Sequence, residues 1–359
     1  MNWLKKGATC LCAAGMLLST IQISIPMTAA AETIESGYEW GALKIGGGGF
    51  VSAIVTGQHS MYARTDVGGA YKYNYDTDSW EQLFGFVNDQ DSGLLGVGGI
   101  AIDPTDDNTV YFLCGCAYFS DARTVIFKTT DGGETFTRTD ITDLIQIHGT
   151  GDGRQCGEPI AVDPEDPDIL YAGGDVTAGS SCLIKSVDGG KTWDPVKGYD
   201  DLGMYPNKIN WPTWTDHIVR GTETGEYKTQ HGVAAIQIID GRVYVATSLT
   251  GEANVHVADV KNDRFAVLSK DLPTGNYPLG ISYDGSGDLY ISYIAGLAFD
   301  GTDGGIYKYR IADGTVTDVS PTHNGFGTVS VDKNDPQKLV TRTCGLFSPQ
   351  WFSEEWTEE

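Results

Sequence analysis

The stretch YARTDVGGAY (residues 62–71) gathers the side chains best suited to chemistry in this chain. Asp66 offers a carboxylate that can take a proton from water. Gly68 and Gly69 follow it, and their missing Cβ atoms let a backbone or a ligand come close. Tyr62 and Tyr71 flank the segment with aromatic faces on which a sugar ring could pack. Arg64 stands two residues before Asp66, so on an extended strand the two project from one face. It either pairs with the carboxylate and holds it ionised, or is a solvated strand arginine. Asp66 likewise has two readings: a base presented to a ligand, or an aspartate capping its own turn.

Two other aspartates are read as structural. TTDGGETF (129–136) and SVDGGKTW (186–193) follow the Asp-box pattern S/T-x-D-x-G-x-T-W/F. In such a hairpin turn the aspartate accepts backbone N–H bonds and the glycines take positive φ, while the threonine and aromatic pin the turn to its sheet. Asp131 and Asp188 are therefore expected to hold turns and not to act on a substrate.

The elements that must position Asp66 come from a repeat. GIAIDPTDDNTVYF (99–112), EPIAVDPEDPDILY (158–171) and TVSVDKNDPQKLV (328–340) share an apolar strand, an acidic or Asp-Pro turn and a second apolar strand. Looser copies begin near Gly49, Val233 and Leu279, where IQIIDGRVYVA (236–246) and ISYDGSGDLYI (281–291) read as hairpins. Six strand-rich units result, at the spacing of four-stranded propeller blades. Sustained 3.6-residue periodicity is scarce, so an all-β propeller with little helix is expected.

Composition limits the partners. Lys and Arg number 24 against 48 Asp and Glu, a formal charge of −24, which disfavours nucleic acid and anionic lipid. A neutral or cationic ligand suits such a surface. Lys5 and Lys6, the apolar run from Ala8 to Met27 and the alanines at 29–31 have the form of an export signal, so residues 1–31 are expected to be a cleaved leader. The mature chain is then secreted, with no membrane anchor. Cys114, Cys116, Cys156, Cys182 and Cys344 lack metal-site spacing and read as small buried side chains with room for one disulfide. No metal or other cofactor is implied. Trp211 and Trp214 in a polar insertion are either a stacking platform or packing beneath a loop.

GGGGFVSAI (46–54) followed by YARTDVGGAY resembles the first blade of glycoside hydrolase family 74 xyloglucanases. The similarity runs in family order through 98–136, 157–193, LPTG (272–275), YISY (290–293), DGGIYKY (303–309) and TDVSP (317–321), covering about residues 38–345. The resemblance implies two facing seven-bladed propellers with a glucan in the cleft between them, one catalytic carboxylate from each, and inversion at the anomeric carbon. It makes Asp66 the general base, Tyr62, Arg64 and Tyr71 substrate-binding neighbours, and xyloglucan or a related β-1,4-glucan the substrate.

An inverting pair also needs an acid, with room for water between the two carboxyls. By the resemblance that acid lies in a second, C-terminal propeller, which is expected to be missing from these residues. The DGGIY at 303–307 falls in a blade hairpin, and Asp303 is read as a turn. Past Cys344 the pattern dissolves into FSPQWFSEEWTEE (347–359), so 32–345 is taken as the propeller and 346–359 as a divergent or truncated tail. The competing reading is a non-catalytic glucan-binding propeller. A sialidase is disfavoured by the lack of an F-R-I-P segment.

Overall fold

IQIIDGRVYVA folds as the hairpin its turn residues dictate. Asp240 and Gly241 both take positive φ, 48° and 68°, the type I′ geometry that matches the twist of antiparallel strands. Comparable turns recur along the chain. The computed structural model describes residues 45–115, 123–145, 147, 157–174, 182–202, 232–247, 249–295, 303–322, 324–332 and 334–342, all within the unit that starts at Lys44.

Blade 1 is β1 (Val51–Thr56), β2 (Met61–Thr65), β3 (Ala70–Asn74) and β4 (Ser79–Gln82). Blade 2 is β5 (Val97–Asp103), β6 (Asp106–Cys114), β7 (Val125–Thr129) and β8 (Thr137–Asp140). Blade 3 is β9 (Ile160–Val162), β10 (Leu170–Gly173), β11 (Leu183–Ser186) and β12 (Asp194–Pro195). Blade 4 is β13 (Val233–Ile239), β14 (Arg242–Thr247), β15 (Val255–Asp259) and β16 (Ala266–Val267). Blade 5 is β17 (Tyr277–Tyr283), β18 (Asp288–Ile294), β19 (Gly304–Arg310) and β20 (Val316–Asp318). A two-stranded sheet, β21 (Ser330–Asp332) and β22 (Asp335–Val340), follows.

Each sheet is an antiparallel meander in sequence order, and each packs on the next through its first strands, β5 on β9, β9 on β13, β13 on β17 and β17 on β21. The architecture is an all-β propeller with five four-stranded blades. Of the six units expected, five are complete blades and the sixth is two-stranded among the described residues. Helix is confined there to a 3-10 segment at Asp89–Leu95 and one turn at Lys197–Asp200.

The core lies between blades. Strand β13 is buried at six of its seven positions and intermediate at the other, because a blade sandwiched between neighbours buries both faces and loses the usual alternation. Outer strands such as β8 and β16 are mostly exposed. Tyr62, Phe84, Phe112 and Phe127 fill the space between blades 1 and 2, their rings meeting edge-on or tilted at 5.3–5.9 Å. Such rings prefer edge-on contact because a positive ring edge meets a negative face.

The turns behave as their motifs predict. Asp131 accepts from Thr129 Oγ1, Glu134 N and Thr135 N at 2.7–3.0 Å, and Asp188 from Ser186 Oγ, Lys191 N and Thr192 N at 2.8–3.0 Å. Those bonds hold the Asp131 carboxyl far below the ordinary range, led by Thr135, and take Asp188 down to about 2, led by Thr192.

His256 on β15 is 2% exposed, edge-on to Tyr199, with Nδ1 lacking a hydrogen-bond partner. Burial pushes its pKa from 6.5 down to about 4, so on acidification the unfolded chain takes the proton first. Its stabilising contribution is complete above pH 6.5 and falls as the pH drops, with about 3 kcal/mol gone below pH 4. Urea unfolding at pH 7 and pH 4 should show the stability difference between wild type and His256→Leu changing by about that much in favour of the variant. A pH-independent difference would place a charged or solvated imidazole here.

Candidate active site

Asp66 opens the β2–β3 turn, and Thr65 builds that turn. Thr65 Oγ1 donates to Gly69 O and accepts from Gly68 N, both at 2.8 Å, and Thr65 N donates to Gly69 O at 3.1 Å. Gly69 sits at φ +84°, a conformation that strains any side chain. Asp66 Oδ1 accepts from Phe50 N at 2.7 Å, while the Asp66 N–H donates to Phe50 O at 3.1 Å. A partner sixteen residues away separates Asp66 from the two Asp-box aspartates, whose acceptors serve their own turns.

The glycines of the motif do admit a close neighbour, and that neighbour is the chain itself. A Cβ at Gly68 would lie 1.9 Å from Gly48 O, one at Gly47 would lie 1.9 Å from Tyr71 Oη, and one at Gly49 would lie 3.1 Å from Asp66 Oδ1. The glycine run at 46–49 is thus laid across the Asp66 turn, and Asp66 is 5% exposed.

Strand alternation fixes which end of the blades this turn occupies. In each meander the second-to-third connection lies at the end opposite the third-to-fourth turn. Asp66 is therefore at one end, and the Asp-box turns after β7 and β11 are at the other. The strands that terminate at the Asp66 end are joined by the long stretches of sequence, 115–124, 141–159, 174–182, 196–232 and 295–303. Trp211 and Trp214 fall in one of these and lie outside the described residues.

The neighbours of Asp66 are placed differently from the expectation. Tyr62 is 0% exposed, edge-on to Phe112 at 5.9 Å, and burial together with Asp107 and Asp106 lifts its pKa to about 12. Its ring is core between blades 1 and 2, with no face open to a sugar. Tyr71 is 3% exposed, its hydroxyl under Gly47.

Arg64 is 1% exposed, so it is not a solvated strand arginine. Its guanidinium joins three blades, donating to Ser52 Oγ at 2.8 Å, Val97 O at 3.3 Å, Gly157 O at 2.8 Å and Glu158 Oε1 at 3.0 Å. Glu158 Oε2 accepts from Ile100 N at 2.8 Å. Burial raises the Glu158 pKa, and Arg64 and the Ile100 N–H pull it back. Both ions are thus satisfied by hydrogen bonds, the condition under which a buried pair is tolerated. Arg64 acts here as a clamp, not as a group presented to solvent.

Glu158 and Phe50 N are the site residues that sequence reasoning missed. A signal for Glu158 was present: aligned on their IAIDP and IAVDP strands, the repeats put Gly98 where blade 3 has Glu158. A charge at a position otherwise held by glycine marks a specific partner.

Among the described residues no group of three or more His, Cys, Asp and Glu could hold a metal ion, and no helix is long and apolar enough to cross a membrane. Cys114 and Cys182 are buried, and Cys114 is unbridged. Burial raises the Cys114 pKa well above its ordinary value, which makes it unreactive.

Five meandering blades, Asp-box turns at one end and a backbone-held aspartate at the other define a β-propeller of the Asp-box type. No family model matches the chain. It is 32% identical over 337 residues to a xyloglucanase from Paenibacillus sp, covering 90% of this chain and 32% of that protein. It is 29% identical to an oligoxyloglucan-reducing end-specific xyloglucanase from Emericella nidulans, covering 87% of this chain and 39% of that one. Among solved structures, a GH74 enzyme from Niastella koreensis superposes with a TM-score of 0.68 at 28% identity over 85% of this chain and 42% of its own. A GH74 xyloglucanase from Xanthomonas campestris gives 0.69 at 26% identity over 85% and 43%. Over the length it spans, the chain is similar to enzymes of glycoside hydrolase family 74. It spans between about a third and two fifths of the curated relatives it matches.

Removing Arg64 should be costly, because Glu158, its side chain 26% exposed, is left partly buried without its counter-ion. Arg64→Met is expected to lower unfolding free energy by about 3 kcal/mol, and Arg64→Met combined with Glu158→Gln to recover part of that loss. Urea titration of the three proteins reads this directly. Strictly additive losses would mean that the two ions do not interact.

Proposed function

We propose that this chain is the general-base half of a secreted xyloglucan-specific endo-β-1,4-glucanase that inverts at the anomeric carbon. The observation carrying the reading is Asp66, a carboxylate within the family's first-blade motif, held by Phe50 N. Relatives named xyloglucanase that match about nine tenths of the chain supply the substrate class.

In this reading Asp66 takes a proton from the water that attacks the anomeric carbon. The Phe50 N–H at 2.7 Å orients the carboxylate, and the Arg64 clamp two residues away fixes the strand end that carries it. A second carboxyl must protonate the leaving oxygen from about 6.5–9.5 Å away. Glu158 does not suit that task, since both of its oxygens are committed, to Arg64 and to Ile100 N. The acid then comes from a second propeller facing this one across the glucan. Residues 1–31 would act as the export leader, 32–345 as the propeller and 346–359 as a divergent tail.

A non-catalytic glucan-binding propeller is the second reading, favoured by the near-complete burial of Asp66. The purified chain should bind xyloglucan in affinity electrophoresis and release no reducing ends. Fused to the part of the Paenibacillus relative that the match does not cover it should hydrolyse the polymer, and Asp66→Asn should cut kcat by about 10²–10⁴-fold with binding kept. Hydrolysis that survives Asp66→Asn would remove Asp66 from the mechanism, and a fusion that binds without cleaving would favour the second reading.

A further inference from the structure

Four consecutive glycines weaken a fold, because each loses more backbone freedom on folding than a residue with a side chain. The structure accounts for three of those at 46–49. Gly46 and Gly49 hold φ of 71° and 91°, a region that strains other residues, and a Cβ at Gly49 would also lie 3.1 Å from Asp66 Oδ1. A Cβ at Gly47 would collide with Tyr71 Oη.

Gly48 is different. Its φ lies outside the positive region, and among the described residues nothing stands within 4 Å of the place its Cβ would take. Neither backbone conformation nor packing bars a side chain there. Its carbonyl is turned onto the Asp66 hairpin, against Gly68, while the direction of the missing side chain is open.

All four glycines are exposed, and among the described residues none of them gives or receives a hydrogen bond. Bare backbone N–H and C=O groups therefore face outward beside the carboxylate. Groups of this kind that have no protein partner are left to water or to a ligand, and a backbone without side chains lets a ligand approach to hydrogen-bond distance.

We propose that Gly48 is a substrate-contacting residue of the Asp66 site. Its missing side chain lets the main chain of a neutral glucan lie flat on the backbone of residues 46–49 and bond to it through sugar hydroxyls. This rests on the reading of the chain as a glucan-acting propeller. Hydroxyls suit the strap because each can donate and accept, as a row of backbone N–H and C=O groups requires. An uncharged ligand also suits a chain of formal charge −24. A side chain at 48 would stand between sugar and strap and lift the glucan away from Asp66.

Gly48→Ala and Gly48→Leu separate this role from a structural one by the sign of two effects. Where the folded backbone accepts the new residue, replacing glycine narrows the unfolded ensemble and stabilises the protein. Urea unfolding of the full chain should therefore give both variants midpoints equal to or above that of wild type. Affinity electrophoresis in xyloglucan should show binding weakened about tenfold by Gly48→Leu and less by Gly48→Ala. Midpoints below wild type would make Gly48 a structural glycine, and unchanged affinity for Gly48→Leu would remove it from the ligand surface. Either result overturns the proposal and leaves the proposed function standing. A wild-type chain that does not bind xyloglucan would defeat the glucan reading itself, and this proposal with it.

Discussion

A propeller blade cannot hold its place alone, since a four-stranded meander with two apolar faces needs a neighbour on each side. The constraint that sets blades 1, 2 and 3 relative to one another is the buried Arg64 guanidinium. It takes oxygen partners from all three, and Glu158 reaches back to the backbone of blade 2. Apolar packing between blades is non-directional and tolerates sliding, whereas a planar guanidinium with fixed donor directions does not. Because Arg64 is two residues from Asp66, the same constraint that sets the blade angle also sets where that carboxylate stands. The glycines at 46–49 and 68 then allow the β1 entry and the β2–β3 turn to close over each other.

What the sequence disclosed was mostly local. The unit starts near Gly49, Val233 and Leu279 lie within two residues of the first strands of blades 1, 4 and 5, because Asp-Gly turns and apolar runs act over a few residues. The Asp-box turns were legible for the same reason, their bonds spanning two to four positions. Asp66 could be singled out by type and motif, and its partner could not, since Phe50 N arrives from another strand.

The reading of Tyr62 and Arg64 went astray over long range. Two-residue alternation shows which side chains share a face of β2, but in a blade packed on both sides neither face is solvent. An aromatic beside a carboxylate then looks like a sugar platform when it is a core ring. Arg64 finds its counter-ion 94 residues further along, a separation no local pattern bridges. Only the repeat alignment, with Glu158 against Gly98, held a trace of it.

One residue type carries different work at the two ends of the disc because the surrounding donors differ. Asp131 and Asp188 collect backbone and hydroxyl donors from a single turn, which stabilises the charged form and lowers the pKa of both. A carboxylate so depressed makes a firm turn and a poor base, because proton abstraction weakens as the pKa of the acceptor falls. At the other end the turn's donors and acceptors are satisfied by Thr65, whose hydroxyl bonds both Gly69 O and Gly68 N. In the Asp-box turns Thr129 and Ser186 likewise accept a glycine N–H, and there the aspartate adds its own acceptors to the same turn, whereas Asp66 Oδ1 accepts from Phe50 N on the neighbouring strand entry.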